Sequence, residues 1–167
     1  MCGIVGLFLK DDSLSPRLGG MLSEMLVTMT DRGPDSAGIA LYGASTGSNF
    51  KVTVQSDNPA EGFNGLASHL SSVTGSPCSV EEKSTHAVIS TDGSNAENLV
   101  KHLRENHGEL RIMSTGDSME IYKEVGLPKD VRPTIKHHTS ATITDLGFPL
   151  CNFAAKWVSE IGERVCP

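Results

Sequence analysis

Residues 1–7 have the sequence MCGIVGL, and this stretch decides how the rest of the chain is interpreted. Cys2 directly follows Met1 and precedes a short apolar run with two glycines. Removal of Met1 leaves an α-amine and a thiol on one residue. Their pKa values, about 7.7–8.0 and roughly 8.5, are close enough for the amine to act as general base toward the thiol. Cys2 is therefore either a nucleophile carrying its own base or a small apolar residue that begins a buried strand.

Composition places the chain among acidic globular proteins. Its 167 residues suffice for one domain, or for one domain with an insertion. Fourteen Lys and Arg against 20 Asp and Glu give a net charge of −6, and no basic stripe appears, so we expect no nucleic-acid partner. No signal-peptide pattern and no membrane-length apolar run is present. We therefore expect a cytoplasmic protein without membrane contact.

The cysteines and histidines show no metal-ligand spacing. The four cysteines have no C-x-x-C pattern and are expected to be reduced; they are Cys2, Cys78, Cys151 and Cys166. Of six histidines, only His137 and His138 are adjacent, and neighbouring side chains point apart on a helix or strand. The sequence accordingly predicts no metal site and no cofactor.

The first 42 residues predict a strand, a helix and a second strand. The first strand covers residues 2–9, and Ser15-Pro16 is expected to cap the helix that follows. Leucines and methionines between residues 18 and 29 repeat at helical spacing and are interpreted as core. The charged turn at residues 30–36 ends the helix, and residues 37–42 form the second strand.

Residues 48–118 have a different pattern of predicted strands and helices. Strands are predicted at 51–55, 78–82, 85–90 and 110–114, and helices at 59–73 and 96–106. Asn64-Gly65 is interpreted as helix interior. The order βαββαβ is that of a ferredoxin-like unit. We expect no catalytic constellation in it, and a structural or partner-contact role.

The sequence pattern changes again after residue 118. Residues 118–125 predict a strand, and residues 136–144 are polar and β-prone. Apolar residues from Leu150 to Ile161 repeat at helical spacing, which predicts a single amphipathic helix.

Taken together, MCGIVGL at residues 1–7 and RGPDSAG at residues 32–38 resemble the class II glutamine amidotransferases, the N-terminal-nucleophile (Ntn) glutaminases. The middle unit and MEIYKEVG at residues 119–126 look closest to one branch of this family. That branch is the glutaminase subunit of the glutamate-synthase-like N-methylglutamate synthase. The resemblance covers about residues 1–131.

The resemblance implies an α+β fold: a partial Ntn-hydrolase αββα sandwich with a ferredoxin-like βαββαβ insertion. The implied domains are residues 1–47 (N-terminal glutaminase part), 48–118 (insertion) and 119–167 (return to the glutaminase domain and a divergent tail). Cys2 is the implied catalytic residue, which hydrolyses glutamine through a thioester and supplies ammonia to synthase subunits of a hetero-oligomer. The residues carried over as supporting the site are Arg32, Gly33, Asp35 and Ser36.

The later part of the chain departs from the family pattern. The family has a Gly-His-Thr-Arg-like segment, which clamps the substrate carboxylate, and an Asn-Gly pair, which stabilises the oxyanion. Here the nearest match is HTSAT at residues 138–142, which lacks the arginine. We therefore expect impaired activity in a truncated, frame-shifted or diverged chain. One alternative is a non-catalytic partner-binding or regulatory module in which Cys2 is a relic; another is a redox or peptidase-like thiol, for which no histidine partner is placed.

Overall fold

The computed structural model describes residues 3–32, 36–43, 47–127 and 153–159. The chain divides into two compact units, residues 1–43 with 123–167 and residues 44–122. Helices accompany two four-stranded sheets, and the strand pairs in register are antiparallel. This mixed α/β architecture is compatible with the expected α+β class.

The sheet with strand order β1-β8-β2-β7 belongs mainly to the first unit. Its strands are β1 (Gly3–Phe8), β2 (Ser36–Tyr42), β7 (Met119–Val125) and β8 (Phe153–Ser159). Strand β8 lies between β1 and β2 and runs antiparallel to both. The amphipathic helix predicted between residues 150 and 161 is therefore wrong. The apolar spacing of so short a segment is compatible with a helix or with a strand. Hydrogen bonds to β1 and β2 on its two sides stabilise the strand, whereas an isolated helix of this length would be only marginally stable.

Helix α1 (Leu18–Thr28) lies between β1 and β2 in the chain and begins later than the sequence predicts. A 3₁₀ helix, Asp12–Arg17, precedes it and includes the expected capping residues. Asp11 organises this turn, since its carboxylate accepts a hydrogen bond from the Ser13 N–H at 2.9 Å. The buried face of α1 carries three leucines at i, i+4 and i+8; they are Leu18, Leu22 and Leu26. The methionines lie half-buried beside them.

The second unit has the element order strand, helix, strand, strand, helix, strand. Its elements are β3 (Asn49–Ser56), α2 (Pro59–Gly62), α3 (Leu66–Thr74), β4 (Ser79–Lys83), β5 (His86–Asp92), α4 (Ala96–Asn106) and β6 (Leu110–Gly116). The antiparallel sheet has the order β4-β5-β3-β6. Residues from the sheet and the helices form its core: Val52, Val54, Phe63, Leu66, Leu70, Ala87, Ile89, Leu99, Leu103 and Leu110.

The first helical segment of this unit is broken where the sequence predicted helix interior. Helix α2 ends at Gly62, and α3 begins after Gly65, which has a φ of +68°. Glycine adopts this left-handed conformation without the steric cost that a β-carbon brings. A β-carbon at Gly62 would lie 2.6 Å from Ser56 Oγ, so this turn also packs closely against β3. The expectation of a continuous helix through Asn64-Gly65 is thus corrected.

Candidate functional site

The predicted site residues lie at the edge of the part of the chain that the structure describes. Cys2, Gly33 and Asp35 fall outside the described residues. Arg32 ends a short 3₁₀ helix, Thr30–Arg32. Ser36 is the first residue of β2 and is buried. The structure therefore describes the strands that begin at the two motifs, β1 from Gly3 and β2 from Ser36.

The strand register brings the two motifs to the same end of one sheet. Gly3 at the start of β1 and Ala37 near the start of β2 both lie opposite Val158 of β8. Because β1 and β2 are both antiparallel to β8, they run in the same direction. Adjacent strands are about 4.8 Å apart, so Gly3 and Ala37 lie roughly 10 Å apart across β8. Cys2 immediately precedes the first of these strands, and Asp35 immediately precedes the second.

A cluster of three histidines lies in the second unit. His69 is on α3, His102 is on α4, and His107 directly follows α4. One ring nitrogen of each lies within 4.8 Å of those of the other two. The ring centroids are 5.4–5.5 Å apart. The sequence predicts no catalytic constellation in this unit, and it gives no indication of this histidine cluster.

Hydrogen bonds orient two of these rings. The Nδ1 atom of His107 lies 2.8 Å from Glu109 Oε1, so the protonated nitrogen donates to the carboxylate. The Nε2 atom of the same ring is buried and has no hydrogen-bond partner among the described residues. The Nε2 atoms of His69 and His102 are 3.3 Å apart. The three rings therefore face one another with their nitrogen-bearing edges.

The surroundings of His102 lower the pKa of its ring. Burial contributes most to lowering the pKa of His102, followed by the neighbouring His107 and His69, while Glu105 acts in the opposite direction. Hydrogen bonds from its own backbone N–H and then from His107 lower the pKa of Glu109. Glu109 is thus a carboxylate that fixes the ring of His107.

Sequence reasoning missed this cluster because its members are far apart in the chain. His69 and His102 are 33 residues apart, and His102 and His107 have a spacing that is not one of helical neighbours. Helix α4 ends at Asn106, and His107 is its C-terminal cap, whose N–H still donates to the Leu103 carbonyl at 3.0 Å. One signal could have pointed to it: the βαββαβ order places both helices on one face of the sheet, so histidines on those helices can meet.

An ion pair with little solvent exposure is a second polar feature of the described part of this unit. Lys51 Nζ lies 2.8 Å from Glu120 Oε1, and the side chains are 14% and 6% exposed. The Tyr122 hydroxyl donates to Glu120 Oε2 at 2.5 Å. His86, which is fully buried, lies edge-on to the ring of Tyr122. Because both carboxylate oxygens are hydrogen-bonded, this group is suited to stabilising the unit rather than to chemistry.

A groove of about 600 Å³ runs along α4. It is open and is lined by apolar side chains and by charged residues of the helix, including Glu97, Lys101 and Arg104. Among the described residues, its lining does not include His69, His102 or His107. We therefore do not assign it as the functional site.

Comparison with known proteins points to one class, the glutamine amidotransferases. The chain is 54% identical over 131 residues to the glutamine amidotransferase-like protein GlxB of Rhizobium meliloti (strain 1021). The match covers 78% of this chain and 43% of that protein, so the chain spans less than half the length of this relative. No family model matches. The identity supports a glutamine amidotransferase-type relationship.

The helices of the described residues do not meet the requirements of a membrane span. None of those in the described residues is both long and apolar enough to cross a bilayer. The longest α-helices, α1 and α4, each have 11 residues, whereas a span needs about 20.

Proposed function

We propose that the chain carries the N-terminal-nucleophile glutaminase function of a class II glutamine amidotransferase. The observation that carries the proposal is the register of β1 and β2, which start at the same end of one sheet on either side of β8. Each strand follows one of the two motifs, MCG at residues 1–3 and RGPDS at residues 32–36. The 54% identity to GlxB, which is named glutamine amidotransferase-like, supports the same assignment.

The chemistry follows from an amine and a thiol on one residue. After Met1 is removed, the α-amine of Cys2 takes the thiol proton, and Sγ attacks the side-chain amide carbon of glutamine. The C–N bond breaks, and the same proton leaves on ammonia. Water then hydrolyses the thioester to glutamate and restores the thiol. Arg32, Gly33, Asp35 and Ser36 support this site from the loop that precedes β2.

The fold we propose around this chemistry is an Ntn-hydrolase αββα sandwich. The β1-β8-β2-β7 sheet is one of its two sheets, with α1 in a helical layer. Strand β1 exposes Ile4 (72%) and Phe8 (57%), an apolar face of the kind that a second sheet covers in such a sandwich. The βαββαβ unit is a ferredoxin-like insertion. Its proposed limits, 48–118, lie within the compact unit 44–122.

The ammonia passes to a synthase partner in a hetero-oligomer of the N-methylglutamate synthase kind. Weak turnover is part of the proposal, because residues 132–167 depart from the carboxylate clamp and the oxyanion pair of the family where the family pattern would place them. Loss of one oxyanion donor alone lowers rates by about 100- to 1000-fold. The same departure is the observation that favours the second candidate, a non-catalytic module that binds synthase subunits.

The test is an intact-mass measurement before and after incubation with 6-diazo-5-oxo-norleucine, an electrophilic analogue of glutamine. We expect a mass without Met1 and a single adduct that Cys2→Ala abolishes. Cys78→Ala is the matched control, because Cys78 is a half-buried thiol in the second unit, and its adduct should be that of the parent. Loss of Met1 without any adduct would contradict the glutaminase proposal and favour the binding module.

A further inference from the structure

The histidine cluster has the geometry of a metal site that the proposed glutaminase chemistry does not use. His69, His102 and His107 all lie within the unit formed by residues 44–122, whereas Cys2 lies in the other unit. Helices α3 and α4 carry two of the rings, and the turn after α4 carries the third. A bound ion would therefore join the two helices at the point where the rings of His69 and His102 already meet, with Nε2 atoms 3.3 Å apart.

The separation of two ring nitrogens fits a tetrahedral ion. Zinc binds histidine nitrogen at about 2.0–2.1 Å, so two ligands of one tetrahedral zinc are about 3.3–3.4 Å apart. The Nε2 atoms of His69 and His102 are 3.3 Å apart. The third nitrogen lies within 4.8 Å of both. A small rotation of its ring would bring this nitrogen to the ligand separation of a tetrahedral ion.

The environment of His107 is an independent indication of a ligand. Its Nε2 atom is buried without a hydrogen-bond partner among the described residues. A buried polar atom left unpaired costs free energy, and a metal ion would satisfy this lone pair. Nδ1 of the same ring donates to Glu109 at 2.8 Å. Metal-binding histidines commonly donate their second nitrogen to a carboxylate in this way, which fixes the tautomer with Nε2 free.

Metal binding through Nε2 also fixes the tautomer of His102. When Nε2 binds the ion, the remaining proton is on Nδ1. The Asn106 amide nitrogen lies 3.1 Å from Nδ1. Metal binding therefore requires this amide to turn its oxygen toward the ring, since Oδ1 accepts and the amide nitrogen only donates. Asn106 is thus a positioning residue whose orientation couples to the occupied site.

We propose that His69, His102 and His107 bind one divalent transition-metal ion, Zn²⁺ in the first instance, through three imidazole nitrogens and one solvent molecule. Three neutral imidazoles are suitable ligands for this class of ion, and a tetrahedral site with one open position is a common zinc arrangement. The bound ion ties the end of α4 to α3. Glu109 holds the ring of His107 and offsets part of the positive charge.

The test is zinc titration of the full-length, tag-free and metal-stripped protein against a chromophoric chelator. We expect one Zn²⁺ per chain and a higher thermal unfolding temperature in the bound form, because the ion binds the folded state. Substitution with Co²⁺ should give the intense visible absorption of a tetrahedral complex. Absence of stoichiometric binding by the parent protein would overturn the proposal.

Three variants separate the site from adventitious binding. Glu109→Gln removes a group that orients a ligand without touching the ion, and it should lower zinc affinity by roughly 10- to 100-fold. His69→Gln and His102→Gln each remove a ligand and should lower zinc affinity by more than this. His69 is exposed, so its substitution is not expected to disturb folding, and far-UV circular dichroism checks this. The control is the double variant His137→Gln/His138→Gln, which should bind as the parent does. Equal affinity in His102→Gln, or loss in the control, would refute the site.

Discussion

The two units of this chain acquire their candidate chemistry in different ways. In residues 1–43, the proposed site residues lie in two short motifs, each of which directly precedes a strand. In residues 44–122, three histidines separated by up to 38 positions (107 − 69) meet only because two helices pack on one sheet. A motif can be recognised in a sequence, whereas a cluster made by packing can be seen only in the structure.

The two units also differ in how their apolar surface is covered. The second unit buries a continuous core between its sheet and helices. In the first unit, strand β2 is buried from Ser36 to Leu41, but β1 exposes Ile4 and Phe8. The proposed sandwich requires a further layer over that face. The second unit should therefore respond to mutation as a self-sufficient core, and the first as part of a larger assembly.

The largest effect should be that labelling of Cys2 and zinc binding are lost independently of each other. Cys2→Ala should abolish labelling by 6-diazo-5-oxo-norleucine and leave zinc affinity unchanged. His102→Gln should do the reverse, because the two residues lie in different units. Mass spectrometry and zinc titration on the same preparations measure both. A variant that loses both properties while remaining folded would show that the two sites are coupled. The two units would then not carry their sites independently.

The next effect concerns the buried ion pair of the second unit. Glu120→Ala should lower the free energy of unfolding by about 3–5 kcal/mol, because it leaves Lys51 buried without its partner. Urea unfolding followed by circular dichroism measures this. Glu82→Ala on β4 is the matched control, since that side chain is exposed, and its change should stay within about 0.5 kcal/mol. Equal effects of the two substitutions would mean that the pair is not buried in solution.

A core substitution tests whether the second unit is self-sufficient. Leu99→Ala removes a fully buried side chain from the face of α4 that meets the sheet, and should cost about 2–5 kcal/mol. Val73→Ala on α3 is the control, because this valine is 48% exposed. Urea unfolding should give a clearly smaller loss for the control. A small loss for Leu99→Ala would indicate that the core is loosely packed.

A pair of glycine substitutions compares the two units directly. Gly65→Ala forces a β-carbon into a left-handed conformation and should cost about 1–2 kcal/mol. Gly20→Ala in α1 should stabilise the protein by about 0.5–1 kcal/mol, since alanine is the better helix former and its β-carbon meets no described atom within 4 Å. Thermal unfolding should therefore show shifts of opposite sign. Shifts of the same sign would contradict the break between α2 and α3.

The smallest effect should come from the surface ion pair between Arg111 and Asp57. These side chains are 53% and 83% exposed, so solvent screens their attraction. Arg111→Gln should change the free energy of unfolding by at most about 1 kcal/mol, and the change should vanish in high salt. Urea unfolding at two salt concentrations measures both. A larger, salt-independent loss would indicate that Arg111 contributes packing and not only charge.

Much of the second unit could be predicted from local pattern. The helix predicted at residues 96–106 is α4, and the four strands lie within a few residues of their predicted positions. Alternation and helical spacing are local properties, so they can be recognised without knowledge of the fold. The break at Gly65 was missed because helical spacing of the flanking apolar residues continues across it.

The sequence by itself determined the two glutaminase-like motifs, the acidic composition and the positions of most elements, since all of these are encoded by residues close together in the chain. Only the tertiary structure decided the rest. Residues near 153–159 fit a helical period, yet pairing with β1 and β2 makes them a strand. The positions of the three histidines in the sequence do not show that the rings meet, and packing of α3 and α4 brings their nitrogens together. In both cases the deciding interactions join distant parts of the chain, and no local pattern contains them.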